Sequence, residues 1–228
     1  MKLTLSQKTR EAGDAFSFFF KSKAPLSWQA GQFLAYTLDH PNPDQRGIKR
    51  YFTIASAPFE KEVMITTRIN SDKGSSFKKA LYNLAEGQTI EAEGPRGSFV
   101  IEDPKQKYVF LAGGIGITPF RAILLDLDHR KLPINVTLLY ANRNNDFPFQ
   151  RELELLAQKH RNFKIHYFAE PRRIAEQSIR EIVPNLQKPI FYISGPLPMV
   201  QAMEHMLSEM GIPATHVKQD SFPGYGWP

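Results

Sequence analysis

The sequence predicts a two-domain fold in which an N-terminal antiparallel β-barrel is followed by a C-terminal α/β domain built on a parallel sheet. The first observation is a change of pattern. Short alternating runs and turn formers fill residues 1 to about 102, whereas strand-like and helix-like segments alternate beyond Pro104. The second is length, because 228 residues suffice for two modest domains with separate cores. We place the domains at residues 1–102 and 103–228.

The N-terminal half contains six segments with the composition and alternation of β-strands. Turn formers such as Gly13, Gly47 and Pro58 separate them. Six strands in about 100 residues favour a small antiparallel barrel, and one helix is predicted near residues 75–84. The predicted strands are 3–8, 15–21, 33–38, 50–55, 63–69 and 88–93.

The C-terminal half alternates apolar strand-like segments with helical ones. Hydrophobic strands separated by helices of this length are typical of a parallel sheet covered on both faces. The predicted strands are 108–112, 135–141, 163–168, 190–193 and 215–218. The predicted helices are 118–128, 150–159, 176–183 and 198–210.

Composition excludes several functional classes. The chain contains no cysteine, which excludes disulfides, thiolate nucleophiles and all-cysteine iron–sulfur clusters within it. The net charge is +6, but the basic residues are scattered as short pairs, a pattern that does not favour nucleic acid. The histidines show no metal-ligand spacing, and no segment approaches the apolar length of a membrane span. We therefore expect a cytoplasmic protein with no metal site and no nucleic-acid partner.

Residues 50–53 place a cation, a ring and a hydroxyl on one predicted strand. Arg50 and Phe52 should point to the same side, with Thr53 next to them. A guanidinium can bind a pyrophosphate through two hydrogen bonds, a ring can cover an isoalloxazine, and a hydroxyl can bond a ring nitrogen. These groups suit a flavin, although the same composition also occurs in ordinary β-strands.

Two turns of small residues follow predicted parallel strands. The first, at residues 113–116, leads into a helix that begins near Thr118 and Pro119; its glycines and the free N–H groups of the helix suit a phosphate. The second runs from Ser194 to Pro196. Both turns should meet at the carboxyl edge of the sheet, where such folds bind ligands. A purely structural role is the alternative for each turn.

Five motifs, in this order, resemble the ferredoxin-NADP reductase family. They extend over essentially the whole chain, and the absence of an iron–sulfur domain is similar to the compact members of that family. The motifs are Arg-x-Phe-Thr at 50–53, Gly-Ser-Ser at 74–76, Gly-Pro-x-Gly at 94–97, Gly-Gly-x-Gly-x-Thr-Pro at 113–119 and Gly-Pro-x-x-Met at 195–199.

The resemblance implies a flavin site in the first half of the chain. Arg50 would bind the flavin phosphates, Phe52 would stack on the isoalloxazine, and Thr53 would lie near N5 as a catalytic residue. Many members have Tyr where Phe52 stands, which removes a hydroxyl contact to the ribityl chain. The remaining cofactor-binding candidates are Tyr51, Thr67, Gly74, Ser75 and Ser76.

The resemblance also implies a pyridine-nucleotide site in the second half. Ser194 would lie beside the nicotinamide as a catalytic residue, in the place of the family's frequent Cys. Arg143, after the second parallel strand, would favour the 2′-phosphate of NADPH over NADH, although a solvent-facing arginine is equally compatible. The other candidates for binding the coenzyme are Gly114, Gly116, Thr118, Pro119, Gly195, Pro196 and Met199.

The aromatic tail after the last predicted strand is a candidate lid over the flavin, since C-terminal residues often cover the flavin in the resembled family. Phe222 is the first choice for a catalytic role, and Tyr225 and Trp227 are lesser candidates. An apolar plug or a dimer contact is the alternative.

The resemblance therefore implies an FAD-dependent oxidoreductase that uses NADPH or NADH. Electrons would pass to a separate acceptor, which could be a ferredoxin, a flavodoxin, an oxygenase component or a small molecule. Two alternatives stay open: an NAD(P)H:flavin reductase that uses free flavin as substrate, and a non-catalytic electron-transfer subunit.

Overall fold

The computed structural model describes residues 1–70 and 74–222. It contains a six-stranded antiparallel sheet formed by the first part of the chain and a five-stranded parallel sheet formed by the second part. The predicted fold class, an antiparallel sheet domain followed by an α/β domain, is confirmed. The boundary at residues 102 and 103 stays a prediction; it falls between the last antiparallel strand and the first parallel one.

The antiparallel sheet has the strand order β4-β3-β6-β1-β2-β5. A hydrogen bond from Ala55 N to Met64 O (2.8 Å) brings the two outer strands together, as barrel closure requires. The strands are β1 (Lys2–Ala12), β2 (Ala15–Ser22), β3 (Phe33–Thr37), β4 (Lys49–Thr53), β5 (Val63–Arg68) and β6 (Thr89–Arg96).

Alternating side chains of these strands fill one apolar core, to which Phe18, Phe20 and Leu34 contribute fully buried rings and branches. Full burial of a side chain of this size stabilises the fold by about 1.5–3 kcal/mol. Helix α1 (Ser76–Asn83) covers this core with Phe77 and Leu81. The predicted helix is therefore present, one residue shorter at each end.

The parallel sheet has the strand order β11-β10-β7-β8-β9, with an α-helix between each pair of strands that follow one another along the chain. The strands are β7 (Tyr108–Gly113), β8 (Val136–Asn142), β9 (Phe163–Ala169), β10 (Ile190–Pro196) and β11 (Val217–Phe222). The helices are α2 (Ile117–His129), α3 (Gln150–Lys159), α4 (Glu176–Ile182) and α5 (Leu197–Glu209).

Both faces of the parallel sheet are buried, which explains the continuous apolar runs in its strands. Phe110 packs with α2 on one face, its ring stacked 4.4 Å from the ring of Phe120. Val109 and Leu111 point to the other face, where α5 contributes Val200. Because β7 is parallel to its neighbours β8 and β10, the last residues of the three strands lie at one common edge of the sheet.

The last two strands extend further than the sequence predicts. β10 continues to Pro196, and β11 starts two residues late and continues to Phe222. The reason is mutual pairing, because Ser194 lies opposite Asp220 and Pro196 lies opposite Phe222 in the parallel ladder. The predicted turn at 194–196 is therefore partly a strand end.

Arg121 of α2 links the two sheets. Its Nη1 donates to Ala55 O (2.9 Å) and to Glu60 Oε2 (2.9 Å), and its Nη2 donates to Glu60 Oε1 (3.0 Å). Its Nε lies 2.7 Å from Glu152 Oε2 of α3. Because the arginine side chain is only 7% exposed, these contacts replace water around a buried charge.

Candidate active site

The carboxyl ends of four parallel strands meet at one edge of the C-terminal sheet. β7 lies beside β10, with Ala112 opposite Ser194, and beside β8, with Gly113 opposite Ala141. The two predicted turns are therefore neighbours, as expected from the ligand-binding edge of an open parallel sheet. Thr53 and Arg68 of the antiparallel sheet contact this edge, and we call the region between the edge and that sheet the crevice.

Two of the glycines in the first turn serve the packing of the edge itself. A β-carbon at Gly116 would lie 2.0 Å from Ser194 O, and one at Gly113 would lie 2.1 Å from Met199 Sδ. Contacts this short exclude any side chain unless the turns separate. The structure gives Gly116 a packing reason, and its predicted role in binding the coenzyme stays a prediction.

Gly114 differs from these two glycines. Its φ is +54°, a left-handed conformation that favours glycine, and a β-carbon there would meet nothing closer than Arg68 Nη2 at 3.6 Å. Tyr140 Oη donates to Gly114 O (3.1 Å) from beneath the turn and fixes its shape. Gly114 is thus the position where the backbone of this turn has space beside it and a cation nearby.

Thr53, Asp220 and Ser194 lie together where the two sheets meet. Thr53 Oγ1, at the end of β4, donates to Asp220 Oδ2 of β11 at 3.4 Å. Asp220 lies opposite Ser194 in the ladder, and Ser194 Oγ is fully buried without a hydrogen-bond partner in the described part of the chain. Sequence reasoning selected Thr53 and Ser194, and both share this cluster with an acid that it did not select, Asp220, which lies 167 positions after Thr53.

Asp220 is the main residue that the sequence analysis missed. Burial raises its pKa from the ordinary 3.8 to about 6, and the hydrogen bond from Thr53 lowers it only in part. The last strand was predicted to end at residue 218, which left Asp220 in the tail. A signal existed in the alternation of Lys218, Asp220 and Phe222, but only the pairing with β10 shows which strand face meets Ser194.

Arg68, also missed, bridges the crevice. Its Nη2 donates to Asn142 Oδ1 (2.7 Å) at the end of β8, and its Nη1 contacts Asp14 in the turn between β1 and β2. Asn142 Nδ2 in turn donates to Asp146 O (2.9 Å) and so shapes the loop that carries Arg143. Arg143 is exposed on that loop, at the position where the sequence analysis expected a coenzyme contact.

On the antiparallel sheet, Arg50 lies near the start of α1, and the predicted role of the two as a phosphate site stays a prediction. A carboxylate joins them: Asp44 Oδ1 accepts from Arg50 Nη2 (2.7 Å), and Asp44 Oδ2 accepts from Ser76 N (3.0 Å). Ser75 caps the same helix by accepting from Lys78 N (3.3 Å). Although burial acts in the opposite direction, hydrogen bonds from Arg46, Ser76 and Arg50 hold the pKa of Asp44 far below its ordinary value.

The sequence interpretation selected Phe52 as the ring that stacks on the flavin, but Tyr51 is the more exposed of the two rings. Phe52 is half-buried against Phe77 (ring centroids 5.7 Å apart) and Tyr36 (5.9 Å), whereas Tyr51 is 59% exposed. Strand alternation places Tyr51 on the same side as Thr53. The stacking role of Phe52 stays a prediction.

The remaining predicted site residues occupy supporting positions. Thr118 Oγ1 donates to Ile115 O (3.0 Å) inside the first turn, and Pro119 is buried in α2. Thr67 is buried in β5, and a β-carbon at Gly74 would lie 2.2 Å from Asn70 O. The backbone of Phe222 ends β11, its side chain lies outside the described residues, and so do Tyr225 and Trp227.

Within residues 1–70 and 74–222, no group of three His, Cys, Asp or Glu side chains could hold a metal ion. In the same residues, no helix combines the length and the apolar character that crossing a bilayer requires.

Two family models match the two sheets in turn. The oxidoreductase FAD-binding domain matches residues 2–101, and the oxidoreductase NAD-binding domain matches residues 110–205.

Curated relatives include reductase components of oxygenase systems and flavohemoproteins. The chain is 26% identical over 229 residues to the glycine betaine monooxygenase reductase subunit of Pseudomonas aeruginosa, covering 93% of this chain and 62% of that protein. It is 28% identical over 237 residues to the stachydrine N-demethylase reductase subunit of Rhizobium meliloti, covering 96% of this chain and 66% of that protein. The chain therefore spans somewhat less than two thirds of the length of these relatives.

The fold also matches solved structures. A cytochrome P450 reductase from Amycolatopsis superposes with a TM-score of 0.83 at 21% identity, covering 98% of this chain and 70% of that one. Because an FAD-binding and an NAD-binding family model match successive parts of one chain with this fold, the chain belongs to the ferredoxin-NADP reductase-like family of oxidoreductases.

Proposed function

We propose that this chain is an NAD(P)H-dependent FAD reductase that passes electrons to a separate oxygenase component. The observation that carries the proposal is the contact between Thr53 of the FAD-binding half and Asp220 of the NAD-binding half, next to Ser194. This contact marks the place where two cofactors, one on each half, would meet. The names of the curated relatives support an oxygenase component as the acceptor.

The flavin half has donors that fit a phosphate. Arg50 Nη2 and Ser76 N already bind an oxyanion, the carboxylate of Asp44, with distances of 2.7 and 3.0 Å. Carboxylate and phosphate oxygens accept the same charge-assisted hydrogen bonds, and the first turn of a helix favours either anion. Arg50 and Ser76 would thus hold the flavin phosphates, with Thr53 at the isoalloxazine.

The NAD-binding half has space and charge for a dinucleotide phosphate. The backbone at Gly114 is open toward the crevice, and Arg68 lies beside it. The first turn of α2 adds N–H groups and the positive end of a helix dipole. Gly114, Arg68 and Thr118 would therefore lie along the coenzyme phosphates, while Gly113 and Gly116 keep the two turns in contact.

FAD, when bound, would supply the hydride and electron-transfer chemistry between the coenzyme and the acceptor. The chain orients the two reactants and controls protons near them. Asp220, with a pKa of about 6, carries a proton in part of the molecules near neutral pH and can exchange it with Thr53 Oγ1 through their hydrogen bond. The buried Ser194 Oγ offers a second polar group on the same ladder.

The proposal extends to the coenzyme. Arg143 lies exposed on a loop that Asn142 orders from within, at the distal end of the crevice. A cation there would attract the 2′-phosphate of NADPH. NADPH is accordingly the proposed coenzyme, and NADH is the alternative that Arg143 does not favour.

A visible spectrum of the purified chain, recorded before and after anaerobic addition of NADPH or NADH, tests the proposed function. The expected result is flavin absorbance at about one FAD per chain, bleached by coenzyme and restored by an added acceptor. Colourless protein that consumes coenzyme only after flavin is added would indicate a reductase of free flavin. Bound flavin that neither coenzyme bleaches would indicate a non-catalytic electron-transfer subunit and overturn the proposal.

A further inference from the structure

The loop before β4 is built around Arg50. Arg50 Nη1 donates to three carbonyls, Arg46 O (2.7 Å), Gly47 O (2.8 Å) and Lys49 O (2.7 Å). Its Nη2 donates to Asp44, and its buried Nε has no hydrogen-bond partner in the described part of the chain. Both Nη groups of the guanidinium are therefore engaged by residues that lie within six positions of Arg50.

Asp44 also holds the first turn of α1. Its Oδ2 accepts from Ser76 N (3.0 Å), and its own backbone N donates to Ser76 Oγ (2.9 Å). The carboxylate thus lies between a guanidinium and a helix N-terminus, the two groups that the proposed function assigns to the flavin phosphates. A phosphate could take both donors only if the Asp44 carboxylate leaves them.

We propose that Asp44 is an internal competitor of the flavin phosphates, which keeps FAD and FMN exchangeable by occupying their donors when no flavin is bound. This inference rests on the proposed function of Arg50 and Ser76. It assigns to the loop at 44–47 a role in flavin affinity and in selecting between phosphorylated and unphosphorylated flavins. The expected direction follows from charge, since the competing anion must be displaced and then repels the phosphate from its new position.

The experiment is a titration of the full chain, freed of flavin, with FAD, FMN and riboflavin, followed by the change in flavin fluorescence. Asp44→Asn removes the negative charge at nearly constant shape. FAD and FMN are expected to bind roughly tenfold more tightly to this variant, whereas riboflavin, which has no phosphate, should change by less than about twofold. Asp44→Ser, which also shortens the side chain, should give the same pattern if Asn disturbs the loop.

Glu93→Gln is the matched control. Glu93 lies on β6, which β3 separates from β4, and pairs with exposed Lys49 (3.0 Å), so the variant also removes one negative charge from this sheet without touching Arg50. It should leave the affinity for all three flavins unchanged. An equal gain in FAD affinity in Glu93→Gln and Asp44→Asn would show that the loss of any negative charge on this sheet strengthens binding, and would overturn the proposal.

Arg50→Gln separates failure of this inference from failure of the proposed function. If Arg50→Gln binds FAD as tightly as the unmodified chain, the phosphate assignment itself is wrong. If Arg50→Gln weakens FAD binding and Asp44→Asn leaves it unchanged or weakens it too, the assignment stands, and Asp44 orients Arg50 rather than competing with its ligand. Tighter binding of FAD and FMN in Asp44→Asn alone supports the competitor.

Discussion

Arg121 and Arg50 are both surrounded by oxygen acceptors, but the two sites are built from different parts of the chain. Arg121 receives Ala55 O, the Glu60 carboxylate and the Glu152 carboxylate, which lie 66, 61 and 31 positions away. All acceptors of Arg50 lie within the loop and strand start from residue 44 to residue 49. Arg121 is thus held by residues from both halves of the chain, whereas Arg50 is held by one local segment.

The difference teaches which ion pairs can exchange their partner. Glu152 lies in the helix α3, and Glu60 accepts a second hydrogen bond from Ala57 N (2.6 Å), so the partners of Arg121 belong to segments that other contacts hold in place. A loop, in contrast, can move with the loss of a few local hydrogen bonds. Arg121 therefore fits the role of a structural link between the two halves of the chain. Arg50 fits a ligand site whose donors the Asp44 carboxylate occupies in place of the ligand.

The largest expected effect is on stability, from Arg121→Gln. The variant leaves the partly exposed carboxylates of Glu60 and Glu152 without their cation, which is expected to lower the free energy of unfolding by about 3 kcal/mol, the low end for a buried pair, because water screens both acids. Urea denaturation monitored by circular dichroism measures it. Arg180→Gln is the control, because Arg180 pairs with Glu176 at 51% exposure on both sides and should lose less than about 0.5 kcal/mol. Equal losses in the two variants would contradict the comparison.

The second effect should be on ligand affinity rather than on folding. Arg50→Ala removes the proposed charge-assisted contact to a phosphate and is expected to weaken FAD binding by about 1.5–3 kcal/mol. Equilibrium titration measures the affinity, and thermal unfolding without flavin should show a much smaller change than in Arg121→Gln. Lys49→Ala, in an exposed pair with Glu93, provides the control on the same strand. FAD affinity lowered equally by both variants would argue against a specific role of Arg50.

The sequence predicts the local features of the two sites, which are the secondary-structure elements and the residues beside them. Strand and helix positions follow from alternation and spacing, and Arg50, Thr53 and Ser194 were selectable because each lies beside a recognisable strand or turn. The convergence of the two small-residue turns follows from a general rule of parallel sheets. These predictions depend on neighbours within a few positions in the chain, and the structure has the predicted order of strands and helices, with the largest change of bounds at β10 and β11.

The part that sequence does not predict depends on pairs of distant residues. Asp220 is important because β11 pairs with β10 in one particular register and because Thr53 lies 167 positions earlier. Arg68 contacts Asn142 across 74 positions. Asp44 is close to Arg50 in sequence, but its second partner, Ser76, lies 32 positions later. A single sequence carries no signal for such pairs, because each residue alone is compatible with a solvent-exposed surface.

Asp220 offers a third environment for a charge, with a hydroxyl and no cation among its described hydrogen-bond partners. Because burial raises its folded-state pKa to about 6, the folded protein favours the protonated acid. Its contribution to stability is complete below about pH 4, where the unfolded carboxyl is also protonated, and is lost as pH rises through about 6. Ionisation of Asp220 thus destabilises the fold near neutral pH.

Asp220→Asn is therefore expected to raise Tm on the order of 5 °C at pH 7.5, with a difference that shrinks toward zero at pH 4. Differential scanning calorimetry across this pH range measures it. Asp103→Asn, at an exposed acid, should shift Tm little at either pH. A Tm gain in Asp220→Asn that is independent of pH would show that ionisation of Asp220 is not its cause.

The smallest expected effect comes from Arg143, an exposed arginine on a loop that Asn142 orders. Water and salt screen a charge in this position, so a contact to a coenzyme phosphate is weaker than the buried contacts of Arg121. Arg143→Glu should lower the ratio of kcat/KM for NADPH over NADH roughly fivefold, which corresponds to about 1 kcal/mol, and leave unfolding unchanged. The effect should decrease as salt rises from low to physiological concentration, because the 2′-phosphate is attracted through solvent. Arg151→Glu, at an exposed arginine on α3, is the control for a general change of surface charge. If both variants lower the ratio equally, or neither lowers it, Arg143 is a surface residue with no part in selecting the coenzyme.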